Sequence, residues 1–370
     1  MTSVTTTGVE LSMRRWYFEE AAGRYDVDLG DSYVGCGSVD DLSLPAGLVL
    51  GYGSDRGGRE LRELVAGRYG RDADEVGVTH GGQEALYLLQ RALLRPGDHV
   101  VAFAPGWSQA WETPAERGCR VERVGVTADG APDIGRAVRL ITPRTRAVVL
   151  NSPCNPTGRR VTGQELAVLV DALRAVGAHL VLDEEYVADL SRDSLLGGYE
   201  KAVSVSSVSK VYGFPGLRTG WMCGPRDLVA AAMEGKHTTT LANSVLTEAL
   251  AAQVLRRHEH HLDRYLRLTS RGLVVLREWA ARHQDVLRLL EPQGTPFAWL
   301  AMTGEDTSAE FCRAVLRAGV LLMPAEVFGA ERGLRLTFAR DEAVLREGLR
   351  RIDGVIAARA AHGRGRRSDR

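Results

Sequence analysis

Residues 146–186 read RAVVLNSPCNPTGRRVTGQELAVLVDALRAVGAHLVLDEEY, and three segments of this stretch decide the fold class. "RAVVL" (146–150) and "HLVLD" (179–183) are short β-branched runs of the kind that form buried strands. Between them the spacing predicts a helix over 163–176. Thr162 stands at its start with Glu165 three residues on, the signature of a reciprocal N-terminal cap. Leu166, Leu169, Val170, Leu173 and Val176 then recur at helical spacing. A strand, a helix of this length and a second strand imply an α/β domain with a mostly parallel sheet.

The same alternation extends outward from about residue 76 to 224, through "HVVAF" (99–103), "AVSVS" (202–206) and "TGWMC" (219–223). After about 245 the character changes: arginine-rich helical stretches over 246–290 precede a mixed region with "FAWLAM" and "RLTFA". The chain is therefore divided into a large domain, 45–245, and a smaller α+β domain assembled from 1–44 and 246–362. The basic end, 363–370, is expected to be a disordered tail.

A length of 370 residues suits two domains with full cores. A formal net charge of zero argues against nucleic acid or an anionic membrane surface as partner. No apolar run is long enough to span a bilayer, and "MTSVTTTGVELSMRRWYFEE" lacks the apolar segment of a secretion signal. Cys36, Cys119, Cys154, Cys223 and Cys312 are odd in number and form no C-x-x-C pair. Reduced thiols in a cytoplasmic protein are expected, with no disulfide framework and no zinc site.

Lysine is almost missing. Of 47 basic residues only Lys201, Lys210 and Lys236 are lysine, and Lys210 lies in "SSVSKVYGFPGLRTGW" (206–221). Lysine can lose its proton and condense with a carbonyl, which arginine cannot do. Glycines at 213, 216 and 220 permit a tight loop, Ser207 and Ser209 offer hydroxyls, and Arg218 offers a fixed cation suited to a phosphate. An amine beside phosphate donors is what a phosphorylated aldehyde requires, and pyridoxal 5'-phosphate is that molecule. Read locally, "NSPCNPTG" (151–158) is a turn, Asp183 with Tyr186 a helix cap beside a core tyrosine, and "THGGQEALYLL" (79–89) a glycine-rich helix start.

Together these stretches resemble the class I/II aminotransferases, the fold-type-I pyridoxal-phosphate enzymes, from about Tyr52 to Phe338. The resemblance implies that Lys210 holds the cofactor covalently and that Ser207, Ser209 and Arg218 surround its phosphate with the amides of Gly82 and Gln83. It places Asp183 beside the pyridine nitrogen, Tyr186 and Asn155 on the phenolic oxygen, and Trp107 against the ring. Arg335, in "GLRLTFA", would grip the α-carboxylate of an amino acid substrate, with Asn155 nearby. Tyr52, in "GYGSDRGGRELR" (51–62), would reach the phosphate of a neighbouring subunit, so a homodimer with shared active sites is implied. That segment is no dinucleotide fingerprint, since Arg56 replaces the third glycine.

Within the family, "THGGQEALYL", "SKVYGFPGLRTGW", "KHTTTLANSVLTEA", "GVLLMPAEVFG" and "RRWYFEEA" are similar to capreomycidine synthases and related cyclases of hydroxylated arginine in antibiotic pathways. The likeness implies loss of a β-hydroxyl and ring closure by the guanidine, with Glu10 or Asp31 as acidic partners. A plain aminotransferase with a keto acid acceptor is the alternative, and "DEEY" is compatible with it. A regulator fused to a DNA-binding module is disfavoured by the early Tyr52 motif and zero net charge. "RRHEHHLDR" (256–264) lacks metal-ligand spacing, and His258, His260 and His261 are expected on a solvated helix face.

Overall fold

In the seven-stranded sheet, strands buried on both faces place alternate side chains in two different cores. A computed structural model describes residues 11–304 and 306–368, the stretch 362–368 as backbone only. Glu10 lies outside the described residues. The seven strands are β1 (Val76–Thr79), β2 (His99–Phe103), β3 (Arg120–Val124), β4 (Thr145–Asn151), β5 (His179–Asp183), β6 (Ala202–Ser207) and β7 (Gly220–Cys223). Their order is β1-β7-β6-β5-β4-β2-β3, and only β7 runs against its neighbours. Val148, Leu150, Leu180 and Leu182 pack with Leu166, Leu169 and Leu173 on one face. Val149, Val181, Val203 and Val205 pack with Leu86, Leu89 and Met233 on the other. This period of two, apolar on both sides, is that of a covered parallel sheet.

The helix over Gly163–Val176 has the reciprocal Thr162–Glu165 cap at its start and ends on Gly177 in the left-handed conformation. Lys201 donates to the Gly177 carbonyl at 3.0 Å, closing that end.

A second apolar core joins Leu11, Trp16, Val27 and Leu29 to Val275, Leu276, Trp299, Phe311, Leu345 and Ile352. Beside it lies a four-stranded antiparallel sheet, ordered Met323–Pro324, Leu334–Thr337, Phe297–Met302, Leu287–Leu290. Val27–Asp28 pairs in parallel with Val320–Leu321 and ties the beginning of the chain to this region. Along the helix His258–Ala281, Tyr265 belongs to the first core and Val275 to the second. The last helix runs from Glu342 to Ser368 and takes in most of the stretch read as a tail.

The histidine cluster departs from expectation. His260 is exposed, but His258 and His261 are buried, His258 accepting or donating at 3.0 Å with the Tyr212 hydroxyl. His261 packs edge-on to Phe214 and Tyr212, and burial pushes its imidazole down to about 4. Helix 258–281 turns this face onto the loop after Lys210, so the face is core and not solvated. Among the described residues no helix is long and apolar enough to cross a membrane. All five cysteines are free thiols.

Candidate active site

The carboxyl ends of β4, β5 and β6 deliver polar side chains to one place, as parallel sheets do. Asn151 is paired with Asp183, and Asp183 with Val205, so β4 and β5 end level and β6 runs two residues further, to Ser207. Here a cavity of about 200 Å³ is lined by Ser32, Gly82, Gln83, Trp107, Asn155, Asp183, Glu185, Tyr186, Ser209, Lys210 and Arg218, among others. It shares Gln83, Trp107 and Arg218 with a wider vestibule of about 790 Å³.

The structure thus brings together nine of the residues singled out in the sequence. Lys210 Nζ donates to Ser32 Oγ at 3.2 Å, and Tyr186 donates to the same oxygen at 2.9 Å. Burial lowers the Lys210 amine from its ordinary value, with Glu185 and Asp31 acting the other way. Asp183 ends β5, and burial, aided by Glu185, raises its carboxyl to about 7. Trp107 Nε1 donates to Gln83 Oε1 at 2.9 Å, fixing the indole beside the start of helix Gly82–Leu93. That helix follows directly on β1, and β7 passes so close that a Cβ on Gly220 would lie 2.5 Å from the Gly81 carbonyl carbon. Only glycine fits there.

Ser207 stands behind the wall and donates to Glu185 at 2.6 Å. Arg335 is buried and does not line the cavity. It donates to Asn155 Oδ1 at 2.7 Å and to the Gly30 carbonyl at 2.6 Å, between the rings of Phe297 and Phe328. The bond to Oδ1 leaves the Asn155 NH2 group as its remaining donor. Tyr52 is 91% exposed and outside the cavity of its own chain.

Three contributors were not found in the sequence. Ser32 links Lys210 to Tyr186 from a segment 178 residues away. That segment is held by Arg340, which donates to the carbonyls of Asp28 and Asp31 at 2.9 Å each and to that of Tyr33. Glu185 sits within "DEEY" itself, and no local signal tells which way its side chain turns. Asp31, offered as an acidic partner, accepts from Tyr17 at 2.7 Å and acts electrostatically on Lys210 and Arg335.

Lys236 is a second buried lysine and makes a useful contrast. It is 0% exposed, donates to the Val78 carbonyl at 2.8 Å and to Asn243, and lies 4.0 Å from Glu84. Its protons are committed to the fold. Lys236→Met is expected to lower unfolding stability by about 3 kcal/mol, the usual cost of orphaning buried polar partners, while leaving cofactor absorption in place. Denaturant melts with a visible spectrum check both.

The residues fit a phosphorylated aldehyde. An amine of lowered basicity, a carboxyl short of a cation, a hydroxyl already donating to a carboxylate, and a helix-start amide and a guanidinium that act on the same carboxylate form the required donor set. Lys210 would hold the aldehyde, Asp183 the ring nitrogen, and Gly82, Ser207 and Arg218 the phosphate. Bound there, pyridoxal phosphate supplies an electron-withdrawing ring that stabilises negative charge at a substrate α-carbon.

The profile of the class I and II aminotransferases matches residues 43–352. The capreomycidine synthase of Streptomyces vinaceus is 32% identical over 328 residues, 85% of this chain and 82% of that protein. An arginine–pyruvate transaminase of Pseudomonas aeruginosa is 32% identical over 335 residues, 81% of each. The solved structure of a pyridoxal-phosphate-dependent cyclase, OrfR, superposes with a TM-score of 0.86 at 30% identity, covering 97% of this chain and all of that one.

Proposed function

This chain belongs to the class I and II aminotransferase family and is a pyridoxal-phosphate-dependent enzyme, and from that premise we propose that it removes water from a β-hydroxylated arginine and closes the guanidine onto the carbon that lost it. The balance is simple. The α-proton and the β-hydroxyl leave as water, a guanidine nitrogen bonds to the β-carbon and gives up a proton, and the α-carbon regains one. The product is the substrate less one water.

The observation that carries this reading is the Glu185 carboxylate, which lines the cavity with Lys210 and acts on its amine, as Asp31 does from outside the lining. A guanidinium in so dry a site needs such partners. The whole-length likeness to cyclases supports it. Lys210 would hold the cofactor, be freed by the substrate amine, and then carry the α-proton. Asp183 would keep the ring nitrogen charged, Tyr186 and Asn155 would bind the phenolic oxygen, and Trp107 would cover the ring. Gly82, Gln83, Ser207, Ser209 and Arg218 would hold the phosphate, and Arg335 the α-carboxylate once Asn155 yields.

The functional unit in this reading is a cytoplasmic homodimer. Val39, Leu44, Val49, Leu50 and Tyr52 are all exposed along one stretch, an apolar surface that a second copy would cover while bringing Tyr52 to its partner's site. Transamination of a guanidino amino acid is the second reading, favoured by the likeness to an arginine–pyruvate transaminase.

The test mixes loaded enzyme with arginine and its β-hydroxylated forms, without keto acid, and follows mass. Many turnovers to a product one water lighter are expected. A single turnover, renewed only by keto acid, would establish transamination instead.

A further inference from the structure

Glu185 carries a buried carboxylate whose partners are not those of an ordinary structural acid. Its neighbour Glu184 faces away from the cavity and is satisfied by Ser204 at 2.6 Å, Ser194 at 2.7 Å and the Leu195 amide at 2.6 Å. Glu185 turns the other way, into the cavity. Oε2 accepts from the Ser207 hydroxyl at 2.6 Å, and the Gly82 amide at the helix start acts on the same carboxylate. Oε1 fills the space that a Cβ on Gly82 would need. Lys210 and Arg218 are the cations that act on it, and among the described residues it makes no ion pair within 4.0 Å.

A helix-start amide, a hydroxyl and two cations are together the ligand set of a phosphate. Each N–H and O–H has one proton to give, so two anions cannot hold these donors at once. Like charges that close also repel.

We propose that Glu185 is a tethered anion that holds the donors of the phosphate cup and is exchanged for the cofactor's phosphate on loading, so that it sets how tightly the chain keeps its cofactor. The proposal rests on the reading that seats the phosphate on Gly82, Ser207 and Arg218. Once displaced, the carboxylate stays on the cavity wall, one residue from Tyr186, where a cationic substrate can meet it. Loading the cofactor thereby unmasks an acid for the substrate.

The test uses full-length protein stripped of cofactor, as wild type, Glu185→Gln, Glu185→Ala and Ser207→Ala, with folding checked by circular dichroism. Pyridoxal phosphate is titrated by visible absorption. Inorganic phosphate, a probe of the cup alone, is titrated by protection against thermal unfolding. A cup occupied nine-tenths of the time by its own carboxylate would weaken binding about tenfold. Glu185→Ala is therefore expected to bind both ligands about tenfold more tightly, Glu185→Gln by less, and Ser207→Ala to bind both more weakly. If Ser207→Ala weakens binding but neither Glu185 variant tightens it, the exchange is refuted while the cup stands. If Ser207→Ala changes neither ligand, the cup reading fails and the exchange with it.

Discussion

Lys210→Ala is expected to fold, to lose the visible band of the lysine-bound cofactor, and to turn over at least about 10⁴-fold more slowly. The fold should survive because the Nζ has one side-chain partner, Ser32, and Ser32 keeps its bond to Tyr186 when the amine is removed. The chemistry should not survive. The variant loses both the covalent hold on the aldehyde and the base that shuttles the α-proton. Spectra and turnover are read on the same sample, with Lys236→Met as the companion. A band that persists in Lys210→Ala and disappears in Lys236→Met would move the assignment to the other buried lysine.

Asp183→Asn comes next in size, with an expected loss in kcat/KM of about 10²–10³, the scale of leaving a buried charge without its partner. An amide of the same shape keeps the packing but cannot hold a proton on a ring nitrogen. Asp183 also gives a signature in protein stripped of cofactor. Burial, aided by Glu185, holds the folded carboxyl near about 7, above its unfolded value. Between those two values the folded state binds more protons than the unfolded one, so stability falls as pH rises. Asp183→Asn lacks this slope. Its stability relative to wild type should be higher at pH 8 than at pH 5, and thermal melts at both would show it. An equal gap at the two values would mean that Asp183 is not the buried, cation-starved group described above.

Where signals are local, the sequence was readable. The strands at 99–103, 145–151 and 179–183 each carry a run of three or four consecutive apolar residues with at least one valine, and the helix between the last two carries its own cap and stop. Val76–Thr79 has four residues including a glycine, too little pattern to stand out. Arg120–Val124 is an edge strand with Arg120 and Arg123 exposed, and it reads as polar loop. The site divides in the same way. Asp183 ends a strand, and Lys210, Tyr186 and Asn155 sit on loops that leave strand ends, all within short motifs. Ser32 and Arg340 reach them only through tertiary structure, across separations that leave no local trace. Arg335 was legible as a residue, yet its engagement with Asn155 and Gly30 depends on contacts across 180 and 305 residues of chain. The burial of His258 and His261 is of that kind too, since a helix does not announce which flank the next loop will cover.

The scarcity of lysine has a consequence outside catalysis. Pyridoxal phosphate condenses with any accessible amine, and a protein rich in surface lysine draws it into many unproductive adducts. Here Lys236 is sealed inside the fold and Lys201 is engaged on the end of a helix. The surface takes its positive charge from arginine, which does not condense. Lys210 is therefore left with little competition among lysine side chains, and borohydride trapping of the loaded protein should put the label on one tryptic peptide, Ala202–Arg218, uncut at the modified Lys210.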